Sequence, residues 1–114
     1  MKIIDSGEVA KKPVEIDGAQ GVHIRWLITK QDGAQNFAMR MFELQPGGHT
    51  PLHVHPHEHE VFILEGSGVL VYEGAEHRLE PGYVVFVPPE KEHSFRNTGD
   101  SVLKFLCLIP ASAC

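Results

Sequence analysis

The sequence predicts an all-β fold, a sandwich or a barrel, and three observations carry that expectation. No stretch sustains a helical hydrophobic period over the length of an ordinary helix. Short runs rich in Val, Ile, Phe and Tyr recur along the whole chain. Gly, Pro, Asn or Asp stand between nearly all of them, and strands at that spacing belong to packed antiparallel sheets rather than to alternating strand–helix units.

Taken in order, residues 1–21 mix polar and apolar side chains, with Pro13 and Gly18 as punctuation, and accommodate one or two short strands. Residues 23–29, HIRWLIT, form the next, stopped by the turn chemistry of Gln31, Asp32 and Gly33. Residues 37–44, FAMRMFEL, make another, ended by Pro46, Gly47 and Gly48. Further strands are expected over 61–64, 69–72, 77–79, 83–87, 93–96 and 102–109, each bounded by Gly, Pro or Asn. A chain of 114 residues reads as one domain, 1–114, with a real core. The runs 37–44 and 102–109 are apolar on both faces, whereas a half-solvated sheet alternates apolar with polar residues. Either a thick single-chain core or a second subunit must cover the extra face, and the expectation is a homodimer.

Composition narrows the partners. Fifteen acidic against ten basic residues give a formal charge of -5, with no clustered Lys and Arg, which argues against nucleic acid. Asp5 and Glu8 interrupt the place a signal peptide keeps apolar, and no run is long enough for a membrane span, so no membrane partner is expected and the address is cytoplasmic. Cys107 in an apolar run and Cys114 at the end do not form a disulfide framework.

The densest chemistry lies between Gly47 and Gly66, which hold five of the eight histidines. His53, His55, His57 and His59 occupy alternate positions, and alternate side chains of an extended chain share a face, so His53 and His55 can grip one metal ion. Imidazole suits the first-row transition ions.

A second motif lies over 82–97, GYVVFVPPEKEHSFRN. Together the two stretches resemble the cupin family, whose first motif runs G-x5-H-x-H-x(3 or 4)-E-x6-G and second G-x5-P-x-G-x2-H-x3-N. Gly47, His53 and His55 match the first; Gly82, Pro88, His93 and Asn97 match the second. The resemblance implies a double-stranded β-helix, the jelly-roll barrel, in which the two motifs bring their ligands together. Two positions depart from it. Glu90 stands where the family has a glycine, so that turn is expected to be slightly reshaped. The glutamate ligand's place falls on His59 or Glu60, and the spacing to Gly66 selects His59.

The resemblance thus implies a metal held by His53, His55, His59 and His93. His57 is set aside as a rim or solvent residue, because Pro56 favours a bend. Four neutral imidazoles leave the ion's double charge uncompensated and make it a strong Lewis acid. Manganese is the expected ion, with iron, nickel, copper and zinc open to the same donors. Phe95 shares His93's face, and in the family the last strand's set of Phe105, Cys107 and Ile109 lies near the metal, so an apolar pocket for a small-molecule substrate is expected. Each of these has a plainer reading as core packing. Arg40 interrupts an apolar strand; it either clamps an anionic group or a peroxide in the pocket or pairs with Glu43 or a partner-chain carboxylate. Asn97 is expected to secure a turn.

The functional expectation is a metal-dependent oxygenase of the dioxygenase type, using dioxygen or peroxide and an apolar or aromatic substrate. The alternatives are a non-catalytic ligand-binding or sensing module and a sugar or keto-acid isomerase, the last needing a polar pocket with an acid–base residue.

Overall fold

The computed structural model describes residues 1–113. Nine strands follow one another as β1 (Lys12–Pro13), β2 (Gln20–Ile28), β3 (Phe37–His49), β4 (His59–Glu65), β5 (Gly68–Tyr72), β6 (Ala75–Leu79), β7 (Val84–Val87), β8 (His93–Arg96) and β9 (Leu103–Pro110). Helical structure among the described residues is confined to single 3-10 turns at Ser6–Glu8, Lys30–Asp32 and Ala111–Ala113. None is long and apolar enough to cross a membrane.

All pairings are antiparallel, in the order β6-β5-β8-β3-β9-β4-β7, with β2 on the free side of β3 and β1 on β2. The sheet curls in the jelly-roll manner, and its inner face forms the core. Strict alternation puts Leu103, Phe105, Cys107 and Ile109 of β9 inside, each at most 4% exposed, while Lys104, Leu106, Leu108 and Pro110 stay half-buried outside. Ala38 and Leu44 of β3, Val61 and Ile63 of β4 and Phe95 of β8 meet them. Burying each such Leu, Ile or Phe contributes about 1.5–3 kcal/mol. Cys107 is a free, buried thiol, and Cys114 lies outside the described residues.

One strand departs from expectation. β3 does not stop at Leu44 but runs through Pro46, Gly47 and Gly48 to His49. Val22 pairs with Leu44 and Gln20 with His49, so extra residues of β3 are accommodated as a bulge where the Pro-Gly-Gly sequence reads as a turn. Gly47, at φ 80, sits in the left-handed region, and any Cβ on Gly48 would lie 2.8 Å from the carbonyl oxygens of Gln20 and Gln45. The bulge delivers the chain to β8, where His49 pairs with Arg96, and so starts the histidine segment alongside the strand that carries His93.

Candidate metal centre

Between β3 and β4 the chain lies along β8. Thr50 N–H donates to Phe95 O at 2.9 Å, Phe95 N–H to Thr50 Oγ1 at 2.9 Å, and Ser94 Oγ to Thr50 O at 2.7 Å. His53 and His93 then exchange backbone hydrogen bonds of 3.2 and 3.0 Å, an isolated bridge that sets the two motifs face to face. His55 O accepts from Glu90 N–H at 2.7 Å. Over 52–60 the even-numbered residues are exposed while His53, His55, His57 and His59 are half-buried or buried. Glu60 is exposed on the outer face, paired with Phe86 and Leu108.

The ligand atoms of His53, His55 and His93 all lie within 4.8 Å of one another. His53 Nε2 and His55 Nε2 are 2.9 Å apart, two ring nitrogens converging on one point. His59 stands beside them, its ring centroid 5.0 Å from those of His55 and His93, and its buried Nδ1 has no hydrogen-bond partner. His57 is half-buried at the edge of the cluster and does not line the cavity, a place that a rim residue takes. Pro56 and His57 bend the chain, but the bend keeps His57 inward, stacked on His55 at 4.9 Å with 17° between planes.

The protonation states suit a cation. Burial, followed by the fields of neighbouring histidines and Arg40, pushes His59 down to about 3 and His55 to about 4. Burial likewise lowers His53 and His57. These imidazoles are neutral near pH 7 and offer lone pairs. His93 Nδ1 lies 2.9 Å from Lys91 O, and donating its N–H there leaves Nε2 as the ligand atom, the usual outer support of a metal-binding histidine. Convergent nitrogens, a neutral donor set and an unpartnered buried Nδ1 together fit a divalent transition ion, and the cluster can hold one.

The cluster lies at one end of a cavity of about 440 Å³. Phe95 and Phe105 line it, as does Cys107, whose thiol burial pushes up so that it stays protonated. Ile109 shares their inner face but lies in the core, outside the cavity lining. Arg40 also lines the cavity; it does not pair with Glu43, which faces the other way and binds Arg25 at 3.3 Å and Lys11 at 3.8 Å. Asn97, 3% exposed, ties the motif's end: its Nδ2 donates to Leu44 O and Ser101 O at 2.8 Å, and its Oδ1 accepts from Gly99 N–H at 2.9 Å.

Sequence reasoning missed two parts of the wall. Val22, Ile24 and Trp26 of β2 face the cavity, a set that the alternation of HIRWLIT carries without saying which face is inner. Residues 12–16 also line the cavity, and no local signal marks them.

Comparison with known proteins agrees with this architecture. Residues 40–109 match the family model described as Cupin domain. The crystal structure of the polyketide cyclase RemF from Streptomyces resistomycificus superposes with a TM-score of 0.92 at 35% identity, covering 97% of this chain and 80% of that one. An oxalate-binding protein of Thermotoga maritima is 32% identical over 94% of this chain and 92% of its own length. A 1-methylthio-D-xylulose 5-phosphate methylsulfurylase of Rhodospirillum rubrum is 40% identical over 64% of this chain, but the match spans only 47% of that protein. With both motifs in place, the curled sheet bringing them together and the family model matched over residues 40–109, the chain belongs to the cupin family.

Proposed function

We propose that this cupin is a metal-dependent enzyme of the dioxygenase type, acting on a small apolar or aromatic substrate that carries an enol or phenol oxygen. The observation that carries the reading is the junction of the histidine cluster with an aromatic cavity: His53, His55, His59 and His93 meet walls made by Phe42, Phe95 and Phe105. The donors would be these four histidines, and the ion, manganese in this proposal, would supply Lewis acidity toward a substrate oxygen. Iron, nickel, copper or zinc are the other candidates for the same donor set. The chain's own residues supply the rest. The aromatic walls bind and orient a flat substrate, residues 12–16 shield it from water, and Lys91 O holds the His93 ring in place. The metal-loaded protein is expected to consume dioxygen or hydroperoxide with a flavonol, enol or styrene-like substrate, and His53→Ala to abolish it. No uptake across such a panel sinks the reading.

A second reading, cyclisation of an enolisable polyketone without dioxygen, is favoured by the likeness to the polyketide cyclase at 35% identity. Product formed at full rate under strict anaerobiosis would select it. A non-catalytic binding or sensing role, suggested by the oxalate-binding relative, predicts ligand retention after the metal is stripped. A sugar isomerase would need more polar groups than Lys12, Glu15, Arg40 and Thr50 give this largely apolar wall.

The working unit in this proposal is a cytoplasmic homodimer. Exposed Phe62, Val84 and Phe86 adjoin half-buried Leu106 and Leu108 across β7, β4 and β9, an apolar outer face suited to a second copy.

A further inference from the structure

We propose that Arg40 anchors an anionic oxygen, and that the substrate is therefore a carboxylate on a flat, apolar frame. This rests on the reading of the cavity as a metal-dependent site and narrows it.

Arg40 stands in register with Trp26 of β2 and Cys107 of β9, on the inner face, so its side chain enters the cavity that holds the histidines. Its hydrogen bonding is nearly empty. Nη2 donates to Cys107 Sγ at 3.0 Å, a weak acceptor, and Nε is buried without a partner. Among the described residues no carboxylate forms an ion pair with it, since Glu43 is turned outward to Arg25 and Lys11.

A guanidinium placed for packing alone would be expected to find an acid, because a charge withdrawn from water without one is costly. Here the neighbours are instead aromatic faces. The guanidinium carbon lies 4.9 Å from the Phe42 ring centroid and 5.7 Å from that of Trp26. Such faces attract the cation and fix its plane, yet accept none of its N–H groups in plane. The fork is held in orientation and left unfilled.

An anionic oxygen is the complement of that fork, and a carboxylate matches its two parallel N–H directions. Most of the remaining wall, including Ile24, Phe95 and Phe105, offers area and no hydrogen bonds, and Lys12, Glu15 and Thr50 are its only other polar side chains among the described residues, so a largely apolar frame suits it better than a sugar acid or polyphosphate. An aromatic acid with an adjacent hydroxyl meets both demands, setting its carboxylate on Arg40 and its second oxygen toward the histidines.

The test compares 1-hydroxy-2-naphthoate with its neutral amide on metal-loaded and metal-stripped full-length protein. Binding is followed by calorimetry and by quenching of Trp26, the chain's single tryptophan. Wild type should bind the acid about 10- to 100-fold tighter than the amide, the range of a hydrogen bond to a charged group. Arg40→Met should remove that preference with metal content unchanged, and Arg40→Gln carries the same comparison should the Met variant not fold. Acid and amide bound alike, no binding of the acid, or a preference that survives loss of the guanidinium overturns the proposal. The metal reading fails separately: protein that takes up no metal yet keeps an Arg40-dependent acid preference retains the anchor and loses the metal, whereas protein that loads metal but ignores the carboxylate does the reverse.

Discussion

His59 and Glu60 are neighbours with opposite surroundings, and that difference is the ground for expecting His59 rather than Glu60 to serve a metal. His59 is 5% exposed beside His55 and His93, and Glu60 lies in solvent on the outer face. His59→Ala is expected to lower the metal content of protein purified without added metal, and Glu60→Ala to leave it unchanged; elemental analysis of the two settles the ligand. The same burial makes the metal-free protein sensitive to acid. His55 and His59 fall from an ordinary value of 6.5 to about 4 and about 3 in the fold, so between those values and 6.5 the unfolded chain binds more protons. Their stability contribution is complete above about pH 6.5 and is lost as pH falls through the folded values. Thermal melts of the metal-free protein should therefore drop steadily from pH 7 to pH 4, and a flat profile would contradict the burial argument. The meeting of His53, His55 and His93 was legible from alternation and the motif spacing, and the same alternation turns His59 inward and Glu60 outward. His57 keeps a half-buried place stacked on His55 and outside the cavity lining, which the expected rim position allows. The direction of Arg40 was open, because facing Glu43 or facing the cavity depends on the curl of the sheet.

At the scale of elements, the turn before β8 keeps a left-handed backbone without its glycine. Glu90 holds φ 65, the conformation glycine adopts freely, so the residue in the family glycine's place carries left-handed backbone strain. Glu90→Gly should stabilise the fold by about 0.5–1 kcal/mol, less than the full relief of about 1–2 kcal/mol because glycine loses more freedom on folding, and the denaturant midpoint reads it. Strand positions from β4 to β9 could be read closely, since each is short and ends at Gly, Pro or Asn. The extension of β3 to His49 could not, because a bulge and a turn use the same residues. Nor could the placing of β3 between β2 and β9, which depends on contacts between distant parts of the chain.

For the whole molecule, the outer face of β7, β4 and β9 is where β9, one of the two doubly apolar strands, leaves its surplus. Phe86 is 57% exposed and Phe62 44%, and both lie opposite the side that holds the cavity. Phe86→Lys should cost the single chain little and convert a dimer to a monomer in sedimentation at micromolar concentration. A wild type that sediments as a monomer, or a variant that remains dimeric, excludes this face as the interface. The far side of the barrel carries a different implication. The wall formed by residues 12–16, Val22, Ile24 and Trp26 lies outside the family-matched span of 40–109, which holds all four expected ligands. This leading arm is fastened by side chains well away from the histidines: Arg25 donates to Val9 O, and Lys11 pairs with Glu43. Part of the cavity wall is thus written in a stretch of the chain separate from the histidines, so substitutions among residues 12–26 can reshape that part while Arg40, Phe42, Phe95 and Phe105, which share the histidines' stretch, stay as they are.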